Sequence, residues 1–381
     1  MNQTARTFLF AFFLAFAVSC GSDRKGGSAD VSIDSFATKS NVSFFKDVFS
    51  DIRVVPLELD GHVLGANHGL RLKVSDDRYV LVDMQAKSVY AFDREGGLLT
   101  CISKEGRGPG EYMSLLSCEY VDQKYVVLAD SGHIIEYDGQ GSMIREVSLG
   151  QELMDILFPD AGTPVLLVSR VEGDETAVQD RIVVCDADYK PLRSFCPQGF
   201  QLFNYSNRFF SIAGSDGEFL YVEPTATHVL RCNKEGVLHA CEVDLGGKDF
   251  PDGFRESNDW EKILEILVKT PDIYCYNTVL ENDRYYMMAL EHLVSGSETE
   301  RGQWLVGKED GSSRVEYMEE DGALFAFLGL PQILTERDEI VYVVDLDLFD
   351  AAAEEIPELA ALRDRVDVSE GGAVLLVCKI S

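Results

Sequence analysis

Two stretches of the chain superimpose on one another strand for strand. Tyr79–Ser103 reads YVLVDMQAKSVYAFDREGGLLTCIS, and Tyr125–Leu149 reads YVVLADSGHIIEYDGQGSMIREVSL. In each, an apolar strand ends in Asp and a polar turn follows. A second strand then ends in an aromatic-Asp pair, and a tight turn closed by Gly opens a third strand. Asp83 aligns with Asp130, Phe92-Asp93 with Tyr137-Asp138, and Gly96 with Gly141. A unit of about 45 residues built only from strands is the mark of a β-propeller blade, because one such sheet cannot cover its own faces and copies must stack.

The aromatic-Asp turn recurs in degraded form as Cys185-Asp-Ala-Asp-Tyr189, Cys232-Asn-Lys-Glu-Gly236 and Gly307-Lys-Glu-Asp-Gly311. In the first of these, Tyr189 stands where the earlier turns have Gly; after the next strand, Asp becomes Glu223 followed by Pro224. The steps are about 45–48 residues until the last, which is longer by an insertion of about 28. Within that insertion Ser257–Val268 carries Trp260, Ile263, Leu264 and Leu267 at helical spacing, with Ser257 or Asn258 as cap and Pro271 as stop. Its stripe is expected to pack on the propeller. Glu339–Asp345 repeats the strand-plus-Asp, a short helix is expected over 357–365 with Pro357 in its first turn, and Ala373–Ile380 forms the last strand. The spacing predicts an all-β, six-bladed β-propeller with small helical insertions, occupying 35–381 as one domain. The extended segment Ile52–Glu58 lacks local partners, so it is expected to join the C-terminal strands and close the ring, since an open seam would leave unpaired edges.

The N-terminus carries an address. Arg6 is followed by the apolar run Phe8–Val18 and then Ser19-Cys20-Gly21. That describes a secretory signal peptide over 1–19, too short to span a bilayer comfortably. Ala17-Val18-Ser19-Cys20 resembles the lipobox of bacterial lipoproteins, which implies an acylated Cys20 at the mature N-terminus and a lipid bilayer as partner. Residues 20–34 are small and polar and are expected to be a flexible tether. Surface-exported lipoproteins of Bacteroidota are similar but carry an acidic cluster after the Cys. Here Asp23 is followed by Arg24 and Lys25, which leaves the membrane face open while an outer-membrane location is expected.

Charge narrows the partners. With 34 Lys and Arg against 65 Asp and Glu, the formal net charge is −31, which excludes phosphate-rich nucleic acid and a surface clinging to anionic lipid. Apolar residues at 46% and charged residues at 26% suit a folded domain with a large core. Besides Cys20, eight cysteines sit mostly in strand-like runs without zinc spacing, so they are expected to be free, buried thiols. Cys185/Cys196 and Cys232/Cys241 flank turns but lie off the register those turns imply. His62, His68, His133, His228, His239 and His292 show no ligand spacing or local carboxylate partner, so each is expected to be isolated. Asp83, Asp130 and Asp345 are expected to cap turns rather than to form a calcium or acid-base set. No catalytic motif, metal set or cofactor motif stands out.

The order VPLE, YVLVD…VYAFDREG, GRGPGEY and a terminal apolar strand resembles the six-bladed β-propeller lipoproteins common in Bacteroidota, from about Phe36 to the end. LADSGHIIEYDGQG is similar to an NHL-type repeat. The resemblance implies fold and export and leaves biochemical function open. The loop Lys104–Tyr112 joins the outer strand of one blade to the inner strand of the next and so runs toward the axis. Arg107, Glu111 and Tyr112 are its candidate ligand-contacting residues; alternatively the glycines allow positive φ and Arg107 locks two blades by pairing with a carboxylate. It is no phosphate loop, since it lacks the Gly-Lys-Ser/Thr ending. Two functions follow. One is a non-catalytic binding or scaffold module for an envelope protein, glycan or peptide. The alternative is a metal-dependent propeller enzyme of the lactonase or lyase type, which needs ligands converging from several blades.

Overall fold

Strands that are apolar without alternation need a partner layer on each face. In the computed structural model every blade has such a layer on both sides. The structure describes residues 31–32, 42–65, 69–75, 77–130, 132–169, 180–197, 210–213, 217–222, 227–251, 254, 259–270, 272–295, 298–318, 331–363, 366 and 372–381. The signal run, Cys20, Phe36, His68, Glu223-Pro224, Ser257, Asn258 and Pro271 lie outside them.

Six sheets of antiparallel strands stand around an axis: blade I (70–103), II (115–148), III (153–197), IV (210–244), V (273–318) and VI (333–380). In blades I to V the strands follow chain order outward from the axis. Blade VI is completed by the N-terminal strand Phe49–Leu57, which pairs with Ala373–Ile380 from Phe49↔Ile380 to Leu57↔Ala373. The ring therefore closes as expected, and Pro56 sits on the outer edge, where its missing N–H costs no ladder bond.

The core is a set of radial layers. Tyr79 and Leu81 of blade I face Val55, Leu57 and Leu375 of blade VI. Val80 and Val82, on the opposite face of the same strand, meet Tyr125, Val127 and Tyr137 of blade II. This is why Tyr79–Asp83 is buried at every position. Similar clusters fill each remaining seam.

The recurring turn has one physical cause. Asp93 accepts hydrogen bonds from the backbone N–H groups of Glu95 and Gly97, Asp138 from Gln140 and Ser142, and Asp186 from Asp188 and Lys190. Tyr189, in the place of the turn glycine, adopts the same left-handed backbone at φ 60°. Gly96 is needed for a second reason: a Cβ there would lie 1.9 Å from the Pro56 carbonyl oxygen, so the blade I turn docks tightly on the closing strand.

Several expectations are corrected. Val31–Ser32, expected in the tether, adds a parallel strand to the outer edge of blade IV, because that edge offers unpaired backbone groups. The insertion forms α1 (Trp260–Lys269), but its cap is Asp259, which accepts from Glu261 and Lys262 N–H. Its inward face is Ile263, Ile266 and Leu267, packed on Phe250, Phe254 and Ile273, while Leu264 is exposed. A helix absent from the sequence-based expectation, α2 (Leu346–Glu355), precedes α3 (Pro357–Arg363), with 364–365 outside the described residues. All three helices lie in connections on the face where the inner strands begin.

Candidate functional site

The Lys104–Tyr112 loop lies on that same face, since it leads into the inner strand of blade II. It is held by groups other than Arg107. The Glu111 carboxylate accepts from Gly108 N–H at 2.7 Å and sits so close to Gly106 that a Cβ there would be 2.0 Å from it. Tyr112, expected to face the channel, is buried instead; its hydroxyl donates to the carbonyls of Lys87 and Ile102 in blade I at 3.0 and 3.3 Å. Burial raises its phenol well above the usual range. Arg107 is exposed and has no ion pair among the described residues, so the loop's contacts run through Glu111, Tyr112 and Gly110 instead. Tyr112→Phe is therefore expected to cost about 1–2 kcal/mol in urea unfolding by leaving buried acceptors unmet. Arg107→Ala is expected to stay within about 0.5 kcal/mol. The opposite ranking would show that the loop is held through Arg107.

The concave site is at the other end of the axis. A cavity of about 800 Å³ is lined by Lys73 of blade I, Glu119 of II, Leu157 of III, Ile212 of IV, Glu281 of V and Leu334 of VI, among others. These residues stand toward the far ends of the inner strands, opposite the loop. The cavity reaches outward along the seam between blades VI and I, where Arg53 and Arg94 also line it.

Inverse charges are arranged in pairs across seams. Lys73 bonds Glu119 between blades I and II. Glu281, 6% exposed, receives both Arg231 of blade IV and Lys308 on its Oε1, while its Oε2 has no hydrogen-bond partner among the described residues. Arg231 also reaches Glu218 at 2.8 Å. A blade VI turn forms the rim and is pinned from blade V. The Asn282 amide donates to the Thr335 carbonyl at 2.7 Å and to Asp338 at 3.1 Å, and Arg284 bonds Asp338 at 2.8 Å. Thr335 Oγ1 accepts from the backbone N–H of Arg337 and Glu339. That turn presents Glu336 and Arg337 to the cavity. Burial and then the Asp283 carboxylate hold the Glu336 carboxyl above its ordinary range.

The remaining candidates fall elsewhere. Asp83 accepts from Gly65 and Ala86 N–H, Asp130 from Met113 and Ser114 N–H, and Asp345 caps α2, so all three are capping residues. His292 is a correction: its Nε2 lies 2.7 Å from Asp272 and its Nδ1 3.0 Å from Glu300, and its ring stacks on Tyr274 at 4.0 Å. Glu300 and Tyr274 are cross-strand neighbours, visible only once the register is known. The eight cysteines after Cys20 are free, but Cys232 of blade IV and Cys196 of blade III share one apolar cluster at their seam, a proximity that turn spacing does not suggest. Among the described residues no three His, Cys, Asp or Glu side chains gather as a metal would require.

Comparison with known proteins bears on fold and family. A protein of Bacteroides fragilis described as exported shares the fold at a TM-score of 0.71 and 18% identity, over 92% of this chain and 99% of that one. A member of the DUF4221 family from Bacteroides vulgatus matches at a TM-score of 0.50 and 9% identity, over 88% and 98% of the two chains. No functionally curated protein matches. Residues 31–377 match the domain of unknown function DUF4934, and the chain belongs to that family.

Proposed function

We propose that this protein is a lipid-anchored binding module of the bacterial cell envelope that holds a small ligand in the axial cavity without transforming it. The observation that carries this reading is the convergence of all six blades on one cavity with a buried carboxylate oxygen left unpartnered. Ligand sites of propellers and other ring folds are concave, preformed and equipped with a few placed polar groups. Lys73, Glu119 and Glu281 here are engaged in structural pairs, Lys73 with Glu119 and Glu281 with Arg231 and Lys308, rather than set out as an acid and a base facing a shared gap. The signal-like run before Cys20 and the fold likeness to an exported protein support an envelope location. A multiply acylated Cys20 would keep the protein on the membrane, each buried methylene contributing roughly 0.8 kcal/mol.

The test is native mass spectrometry of the full protein purified in detergent from its own membranes. It is expected to begin at lipid-modified Cys20 and to carry a small molecule that is released chemically unchanged. Ile212→Trp, which fills the cavity from a partly exposed position, is expected to lose that molecule at an unchanged melting temperature. Equal loading of the variant, or conversion of the molecule on incubation, would contradict the proposal.

A further inference from the structure

We infer that the axial cavity takes a short peptide with an apolar side chain and a free carboxyl terminus, an inference that rests on the ligand-binding reading of that cavity. Saccharides and peptides are the two ligand classes suited to such a site, and the lining separates them. Saccharides present hydroxyls on their edges and pack their ring faces against open aromatic side chains. The two aromatic residues at this cavity offer no such face. Phe210 is 2% exposed and packs on Phe219 and Tyr221 at 5.6 and 5.9 Å. Tyr79 is 3% exposed, with the Arg94 guanidinium 4.8 Å above its ring.

Part of the open wall is aliphatic. Val74 and Ile212 are 40% and 45% exposed, on inner strands of blades I and IV. Such walls favour burial of an apolar side chain and offer nothing to hydroxyls that must leave water. Deeper in, Glu281 Oε2 lacks a donor. Because Arg231 and Lys308 already contact the other oxygen and Arg231 also pairs with Glu218, the two cations and two carboxylates balance without a ligand, and the group this oxygen accepts from should be neutral. A backbone amide N–H is such a donor.

The rim supplies the ends. Arg337 has no carboxylate partner among the described residues, and its turn is pinned by Asn282 and Thr335. A guanidinium carried on a pinned turn is matched to a terminal carboxylate. Glu336, beside it and without an ion-pair partner among the described residues, would receive a terminal ammonium. Apolar side chain, amide N–H and two charged termini occur together in a short peptide.

Isothermal titration of the full-length protein with Gly-Leu-Gly, its C-terminal amide, Gly-Ser-Gly and maltotriose tests this. Gly-Leu-Gly should bind, with Gly-Ser-Gly and the amide each about tenfold weaker and maltotriose not binding. In Arg337→Ala, which alters an exposed side chain, the difference between acid and amide should vanish; in Ile212→Trp binding should be lost. Maltotriose binding in place of the tripeptides would overturn the peptide assignment and leave the cavity reading standing. So would failure of all four probes in a protein that has been stripped of its native ligand and still rebinds it. An acid–amide difference that persists in Arg337→Ala overturns the carboxylate contact. Tripeptide binding that survives Ile212→Trp places the site elsewhere, and the cavity reading falls with it.

Discussion

Deleting the chain up to Leu59 is expected to abolish cooperative folding of the whole ring. The Phe49–Leu57 strand is the outer strand of blade VI and pairs along its full length with Ala373–Ile380. With the turn before it, it buries Phe44, Phe45, Val48, Phe49, Val55 and Leu57 at both seams of that blade. At roughly 1.5–3 kcal/mol for each large apolar side chain, the loss is on the order of 10 kcal/mol, comparable to the whole stability of an ordinary domain. The deletion also exposes a long apolar edge on Ala373–Ile380, which invites pairing with another chain. Circular dichroism melting should show no sharp transition for the truncated protein. A synthetic peptide of residues 42–59 added in trans should restore it. A truncated protein that melts like the full chain, with the Ala373–Ile380 amides still protected in hydrogen exchange, would show that the seam does not close the ring.

That closure was legible in the sequence, because an extended run without local partners has few places to go. The blades were legible for a similar reason. Asp93 and Asp138 each satisfy two backbone N–H groups, so drift of their surroundings leaves the turn recognisable. Where Asn233 takes the position, it accepts from Glu235 N–H and the turn survives in weaker form. The cavity was not legible. Lys73, Glu119, Ile212 and Glu281 are far apart in sequence, and each is an unremarkable residue near a strand end. What makes them a site is the radial arrangement, which no local spacing records. Loop Lys104–Tyr112 is conspicuous for its glycines, yet its conformation serves Glu111 and the Tyr112 hydroxyl on the opposite face. Helix α2 is not legible in the sequence because Asp345 both ends a strand and caps the helix, so no polar linker separates the two. His292 reached its carboxylates through strand register, which alternation alone does not set.

Glu316→Gln is expected to stabilise the protein at alkaline pH and to leave it unchanged at acid pH. Glu316 lies on the outer strand of blade V, 7% exposed, with Oε2 lacking a partner. Burial pushes its carboxyl up to about 7, against only one compensating hydrogen bond from the Phe44 backbone, and the Asp47 charge raises it further. In the unfolded chain the same group titrates near 4.5. The folded state thus holds the proton more tightly, and stability falls as pH rises from about 4.5 to about 7, the penalty being complete above that window. With ~1.4 kcal/mol for each tenfold in proton affinity, the penalty approaches about 3 kcal/mol. Glutamine keeps the shape and an acceptor for Phe44 and never ionises, so it removes the penalty without opening a cavity. Glu291, buried and also raised, contributes a pH dependence of the same sign that the variant retains. The quantity to follow is therefore the difference between variant and wild type. The melting temperatures should coincide near pH 4.5 and separate progressively by several degrees toward pH 8, the variant being higher. A difference that does not change with pH, or a variant less stable than wild type at pH 8, would mean that Glu316 is ionised and satisfied in the folded ring.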